Sequence, residues 1–144
     1  MQALVAETPA PMPRRVAQSF DGGRLAMLVA ILQRRARISL AGQDVYASVA
    51  GGVRVAEPGA DLAVALAIAG ARDDRPVASD AVVIGALGLG GEVRQVPQIG
   101  RRLAEAQRLG FRRAIVPAST PDIAGIQLLR VDDLASARHA AGIA

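Results

Sequence analysis

The sequence predicts an α+β domain built as α/β layers, and three observations carry that expectation. Helical and extended segments alternate along the chain, the helical ones repeat apolar residues at i, i+3 and i+4, and Gly90-Gly91 joins two apolar runs in hairpin fashion. A length of 144 residues suits one domain, residues 1–144, with 1–18 a strand plus connector and 19–144 the main body. With 51% hydrophobic and 21% charged residues, the chain has the composition of a folded protein and not of a disordered tail.

Gln2–Ala6 reads as a short strand that begins with no lead-in, which suggests a piece cut from a longer chain. Thr8-Pro-Ala-Pro-Met-Pro13 is a proline-rich connector closed by Arg14 and Arg15. Asp21 is placed to cap a helix running to about Arg37, whose core face is Leu25, Leu28, Val29, Leu32 and Ala36. Met27 and Ile31 fall on its other side, where a lone surface helix is polar. They are therefore expected to meet a second layer or a neighbouring subunit, and are the candidate oligomer interface.

Asp44–Ala50 alternates as a strand, Gly51-Gly52 turns it, and Val53–Val55 continues extended. Ala60–Arg72 is an alanine-rich helix with apolar residues all round, hence a buried one, with Asp61 in its first turn. Val82–Leu89 and Glu92–Val96 form the hairpin, and Pro97 ends it. A helix over Ile99–Leu109 stops at Gly110, with Ile99, Leu103 and Ala106 inward and Arg101, Glu105 and Arg108 outward. Strands over Arg113–Val116 and Ile126–Val131 precede a last helix capped by Asp132 or Asp133.

Absent residue types exclude whole classes of chemistry. There is no Cys, so no disulfide framework or thiolate metal site exists in this sequence, and the single His139 makes a histidine-based metal site untenable. All 17 cationic side chains are Arg, which removes a Schiff base, a phosphate-loop lysine and a Ser–Lys dyad together. Three aromatic rings cannot form a base-stacking platform. The net charge of +4 permits an anionic partner, and the sequence pI of 11.1 overstates it because no lysine titrates. The longest apolar run, Leu62–Ala71, is about half of the ~20 residues a bilayer crossing requires. The glycines at 85, 88, 90 and 91 precede a strand and not a helix, so hairpin geometry accounts for them better than a phosphate loop does. Asp73-Asp74 and Asp132-Asp133 read as helix-end and turn carboxylates rather than a metal pair.

Five arginines, Arg101, Arg102, Arg108, Arg112 and Arg113, crowd into thirteen residues with Glu105 the only acid among them. Guanidinium groups suit phosphate oxygens, which makes this cluster the candidate DNA-backbone surface. The competing reading is a solvated helix face laced by Arg101–Glu105 and Glu105–Arg108 pairs. Arg34, Arg35 and Arg37 form a second, weaker candidate patch.

Several motifs carry a resemblance over essentially Gln2 to Gly142. They are Asp21 to Leu28, Asp44-Val45-Tyr46, Val49-Ala50-Gly51-Gly52, Glu57 to Ala63, Gly90 to Pro97, Arg102 to Ala106 and Leu109 to Pro117. In that order and spacing they resemble the C-terminal domain of the bacterial RadA (Sms) DNA-repair family. The resemblance implies a Lon proteolytic-domain-like fold, related to the second domain of ribosomal protein S5. It places Gly59 nearest the Lon nucleophile position and Gly100 at the lysine position, so both catalytic side chains are missing.

By the same resemblance the full-length family adds a zinc finger and a RecA-like ATPase core. ATP, Mg and Zn are then expected in those parts and no cofactor in this one. The implied role is a non-catalytic, cytoplasmic module of a bacterial recombination motor, holding DNA and assembling into a ring, a hexamer first of all. A ligand- or protein-docking domain using the vestigial cleft is the alternative, and an active Ser–Lys peptidase is a more remote one.

Overall fold

A computed structural model describes residues 1–143. Its first half runs β1 (Gln2–Glu7), β2 (Arg15–Gln18), α1 (Gly22–Arg35), β3 (Gln43–Ser48) and α2 (Asp61–Asp73). Its second half runs β4 (Ala81–Val83), β5 (Ala86–Leu87), β6 (Val93–Arg94), α3 (Ile99–Arg108), β7 (Arg113–Pro117), β8 (Gln127–Val131) and α4 (Leu134–Ala140). The chain is thus an α+β protein of layered helices and mixed sheets.

Sheet one has the order β1-β3-β2, with β1 antiparallel and β2 parallel to the central β3. Alternation along the strands turns Val45 and Ala47 into the core and leaves Leu4, Tyr46 and Val16 side by side on the outer face, where they stand in register. The reading of residues 1–18 as one strand plus a connector misses β2. Its four residues follow a proline run and bury little of their own surface, so no apolar alternation announces them. Gln2–Glu7 and Arg15–Gln18 therefore both belong to one sheet with residues 43–48.

Asp21 caps α1 as its position predicts, its carboxylate accepting the Arg24 N–H at 2.9 Å. The five expected core residues of α1 are all buried. Ile31 is buried as well, at 3% exposure, which corrects its place in a candidate oligomer interface. The reason is a second layer within the chain: α1 packs against β2 on one side and against α2 and α4 on others. Met27 stays 52% exposed. The helix ends two residues earlier than expected, where Arg37 adopts a left-handed φ of 54°.

Helix α2 is the centre of the main core, with Leu62, Ala65, Leu66, Ile68 and Ala69 fully sequestered. It packs on β1, α1 and α4. A 3-10 turn at Pro58–Ala60 leads into it, and Asp74 in the left-handed region ends it. Residues 53–55 form no ladder; their one regular bond runs from the Val55 N–H to the Ser19 carbonyl at 2.8 Å.

The predicted strand over 82–89 is divided. Its first part, β4, joins the parallel sheet β4-β7-β8, and its second, β5, pairs with β6. The chain changes partners between Ile84, which donates to the Ile115 carbonyl, and Gly85, which donates to the Gly59 carbonyl. The hairpin is real but its loop has three residues, because Gly88 N–H still reaches the Glu92 carbonyl at 3.0 Å. Gly91 closes the loop with φ 84°, a turn followed by a left-handed residue, which the strand twist favours. A smaller core, with Leu103, Ala106, Ala114 and Val116 at its centre, lies between α3 and the parallel sheet. Asp133 caps α4 by accepting the Ser136 N–H at 2.7 Å.

Candidate nucleic-acid interface and the adjoining cleft

The five arginines nominated from sequence lie on α3 and at the start of β7, where Gly110 at φ 93° ends the helix and lets the chain turn into the strand. Their environments differ. Arg108 grips Glu105 with two bonds of 2.9 and 2.5 Å, and that pairing holds the Glu105 carboxyl below its ordinary range. Arg113 grips Asp80 likewise, at 3.2 and 2.5 Å, and its hydrogen bonds pull Asp80 down. Arg102 donates to the Pro97 carbonyl at 3.0 Å and to Glu57 at 2.5 Å.

Arg101 and Arg112 are exposed and have no acidic partner among the described residues. The cluster is thus two cations without an ion pair, Arg112 still close enough for its charge to act on Asp80, set among three paired ones. The expected Arg101–Glu105 pair does not form; Glu105 is taken by Arg108 alone. Linear spacing cannot reveal Asp80 or Glu57, which reach the cluster from distant parts of the chain. In the second patch, Arg35 donates to the Leu89 carbonyl at 3.2 Å, and Arg34 and Arg37 are exposed.

Beside this surface a cleft of about 730 Å³ lies between residues 54–60 and α3. Gly59 is buried in its wall, where a Cβ atom would come within 3.1 Å of the Arg102 guanidinium. Gly100 is exposed, has open space around its α-carbon and does not line the cleft. Arg102, two positions further on, is the α3 side chain that meets Gly59. Arg54 also lines this cleft, and no motif in the sequence singles it out.

Asp61, just past the cleft at the head of α2, is 7% exposed and pairs with Arg24 at 3.1 Å. Burial pushes its carboxyl above the ordinary value of 3.8, and the Arg24 charge and a backbone N–H offset only part of that. The folded state therefore binds this proton more tightly than the unfolded state does. The contribution of Asp61 to stability is greatest below pH 3.8 and falls as pH rises from there through the raised folded value. The difference in urea unfolding free energy between the native protein and Asp61→Asn should decline across that window and then level off. A difference that rises with pH would mean that Arg24 outweighs burial.

The family model described as subunit ChlI of Mg-chelatase matches residues 34–120, more than half of the chain, and the protein belongs to that family. The curated relatives carry another name. A protein named DNA repair protein RadA from Escherichia coli (strain K12) is 46% identical over 140 residues, covering 95% of this chain and 30% of that protein. Proteins of the same name from Mycolicibacterium smegmatis and Aquifex aeolicus are 45% and 41% identical over 138 residues, 95% of this chain and 29% and 31% of theirs. This chain is thus a homologue of RadA proteins and spans less than a third of the length of those relatives. No helix among the described residues is long and apolar enough to cross a membrane.

Proposed function

We propose that this chain is the non-catalytic, Lon-like domain of a RadA-type DNA-repair protein, serving DNA-backbone binding and ring assembly in homologous recombination and branch migration. ATP hydrolysis, with its Mg and a structural Zn, belongs in this reading to other parts of the full-length protein, and the location is cytoplasmic. Gly59 and Gly100 offer neither a hydroxyl nor an amine, so the chain itself performs no peptidase chemistry. The observation that supports DNA binding is the exposure, without an ion-pair partner among the described residues, of Arg101 in the first turn of α3 and of Arg112 just past its other end.

The test is anisotropy of two unrelated labelled duplexes titrated across a salt series. Arg101→Ala with Arg112→Ala should weaken both duplexes alike and flatten the log–log salt slope by roughly 0.9 for each phosphate no longer neutralised. Arg108→Ala, whose charge is already paired, should change much less. An unchanged affinity and slope in the folded double variant would remove this surface as the DNA site.

Ring assembly, with a hexamer expected, draws support from apolar side chains left in solvent: Met27, and the row in which Leu4 is 60% and Val16 44% exposed on either side of Tyr46. Light scattering should give a mass above that of one chain, and Leu4→Asp should reduce it. A monomer at high concentration counts against assembly by this domain.

A further inference from the structure

We propose that the cleft between residues 54–60 and α3 docks an extended peptide of a partner protein, apolar along one side and acidic along the other. Its charge balance, whatever the α3–β7 cluster binds, points that way. Both acids that line the cleft are engaged: Glu57 by Arg102 and Glu105 by Arg108. Two lining cations, Arg54 on one wall and Arg101 on the other, have no acidic partner among the described residues. With Glu57 and Glu105 each matched by an arginine, Arg54 and Arg101 leave the cleft with a surplus of positive charge.

The floor selects among anions. Ala63 of α2, Val82 of β4 with Ile84 just past it, and Leu109 and Phe111 beyond α3 make it apolar, and Leu109 is 60% exposed. A free phosphate gains nothing from such a floor. Nucleotide bases would find one ring, Phe111, where stacking platforms use several. Aliphatic side chains fit it, and their removal from water is the favourable contribution.

The wall selects an extended backbone. Val53 and Glu57 have strand-like dihedral angles, at φ −76°, ψ 127° and φ −85°, ψ 137°. Val55 N–H is tied to the Ser19 carbonyl, whereas the N–H groups of Arg54 and Ala56 donate to nothing among the described residues. Alternate unpaired amides along an extended segment are what strand addition uses. Alternate side chains of the added strand then enter the floor. The remaining side chains stand at the mouth, within the field of Arg54 and Arg101.

The test measures anisotropy with the chain as it stands and a short labelled peptide alternating leucine and aspartate. Leucine–serine and leucine–lysine versions serve as controls. The acidic peptide should bind at least about tenfold more tightly than the serine version, and the lysine version should not bind. Arg54→Glu should reduce acidic-peptide affinity at least about tenfold while leaving duplex affinity unchanged, because Arg54 lies outside the α3–β7 cluster. Arg112→Glu should do the reverse. Arg54→Gln, a milder change at an exposed position, guards against misfolding and should give an intermediate loss.

Equal binding of the acidic and serine peptides, or no binding of either, overturns the proposal. So does an Arg54→Glu variant that retains peptide affinity. If Arg54→Glu weakens duplex binding or lowers the light-scattering mass instead, the cleft holds nucleic acid or a second copy and the peptide reading fails.

Discussion

Leu66→Ala is expected to lower the unfolding free energy by about 2–5 kcal/mol, the range for a buried leucine truncated where neighbours cannot collapse. Leu66 is fully buried midway along α2, the helix that packs on β1, α1 and α4 together. Elements on several sides hold the walls of the resulting cavity apart, so the forfeited dispersion attraction adds to the forfeited transfer energy. At about 2–4 °C per kcal/mol for a chain of this size, a thermal melt should move down by several degrees at least. Met27→Ala, on a half-exposed surface, should stay within about 0.5 kcal/mol and serves as the control. A Leu66→Ala loss below about 1 kcal/mol would mean that α2 is not the centre of the core.

Gly70→Ala should destabilise the protein, against the helix propensity that favours Ala over Gly by about 1 kcal/mol. A Cβ atom at Gly70 would lie 2.5 Å from the backbone oxygen of Arg75. The approach arises because Asp74 takes a left-handed conformation and sends the chain back over the helix, so that Arg75 N–H bonds to the Gly70 carbonyl at 2.8 Å. Backbone cannot step aside as a side-chain tip can, and the substitution must open that reversal at a cost of roughly 1–3 kcal/mol. Gly100→Ala, within α3 and with nothing in reach of its added atom, should instead stabilise by about 0.4–1 kcal/mol. Opposite signs in parallel denaturant melts are the expected result; a stabilised Gly70→Ala would contradict the close approach.

What the sequence disclosed was chiefly local. Asp21 and Asp133 cap their helices as their side chains dictate, and the unbroken apolar surface of α2 announced a central helix. What it withheld depended on partners far along the chain. Arg102 and Arg113 looked like free cations until Glu57 and Asp80 came beside them, and Ile31 could be covered by a second layer or by a neighbouring subunit until α1 gained its neighbours. β2 stayed hidden because a four-residue strand draws its stability from the strand it joins, and Arg54 because its importance lies in what it lacks. The site follows the same division: the arginine cluster was legible, and its charge balance was not.

The position of β3 between β1 and β2 has a consequence for biosynthesis. Gln2 and Gln18 both stand opposite Ser48, so neither outer strand has a partner until translation has passed that residue. At ribosomal speeds of ~5–20 residues per second the wait is on the order of seconds, far longer than a hairpin needs to close. During it the nascent chain displays two short strands with Leu4 and Val16 uncovered. On a crowded polysome, a β3 emerging from one ribosome is then as good a partner for β1 as the one still being made, and strand exchange between sister chains is the misassembly to look for.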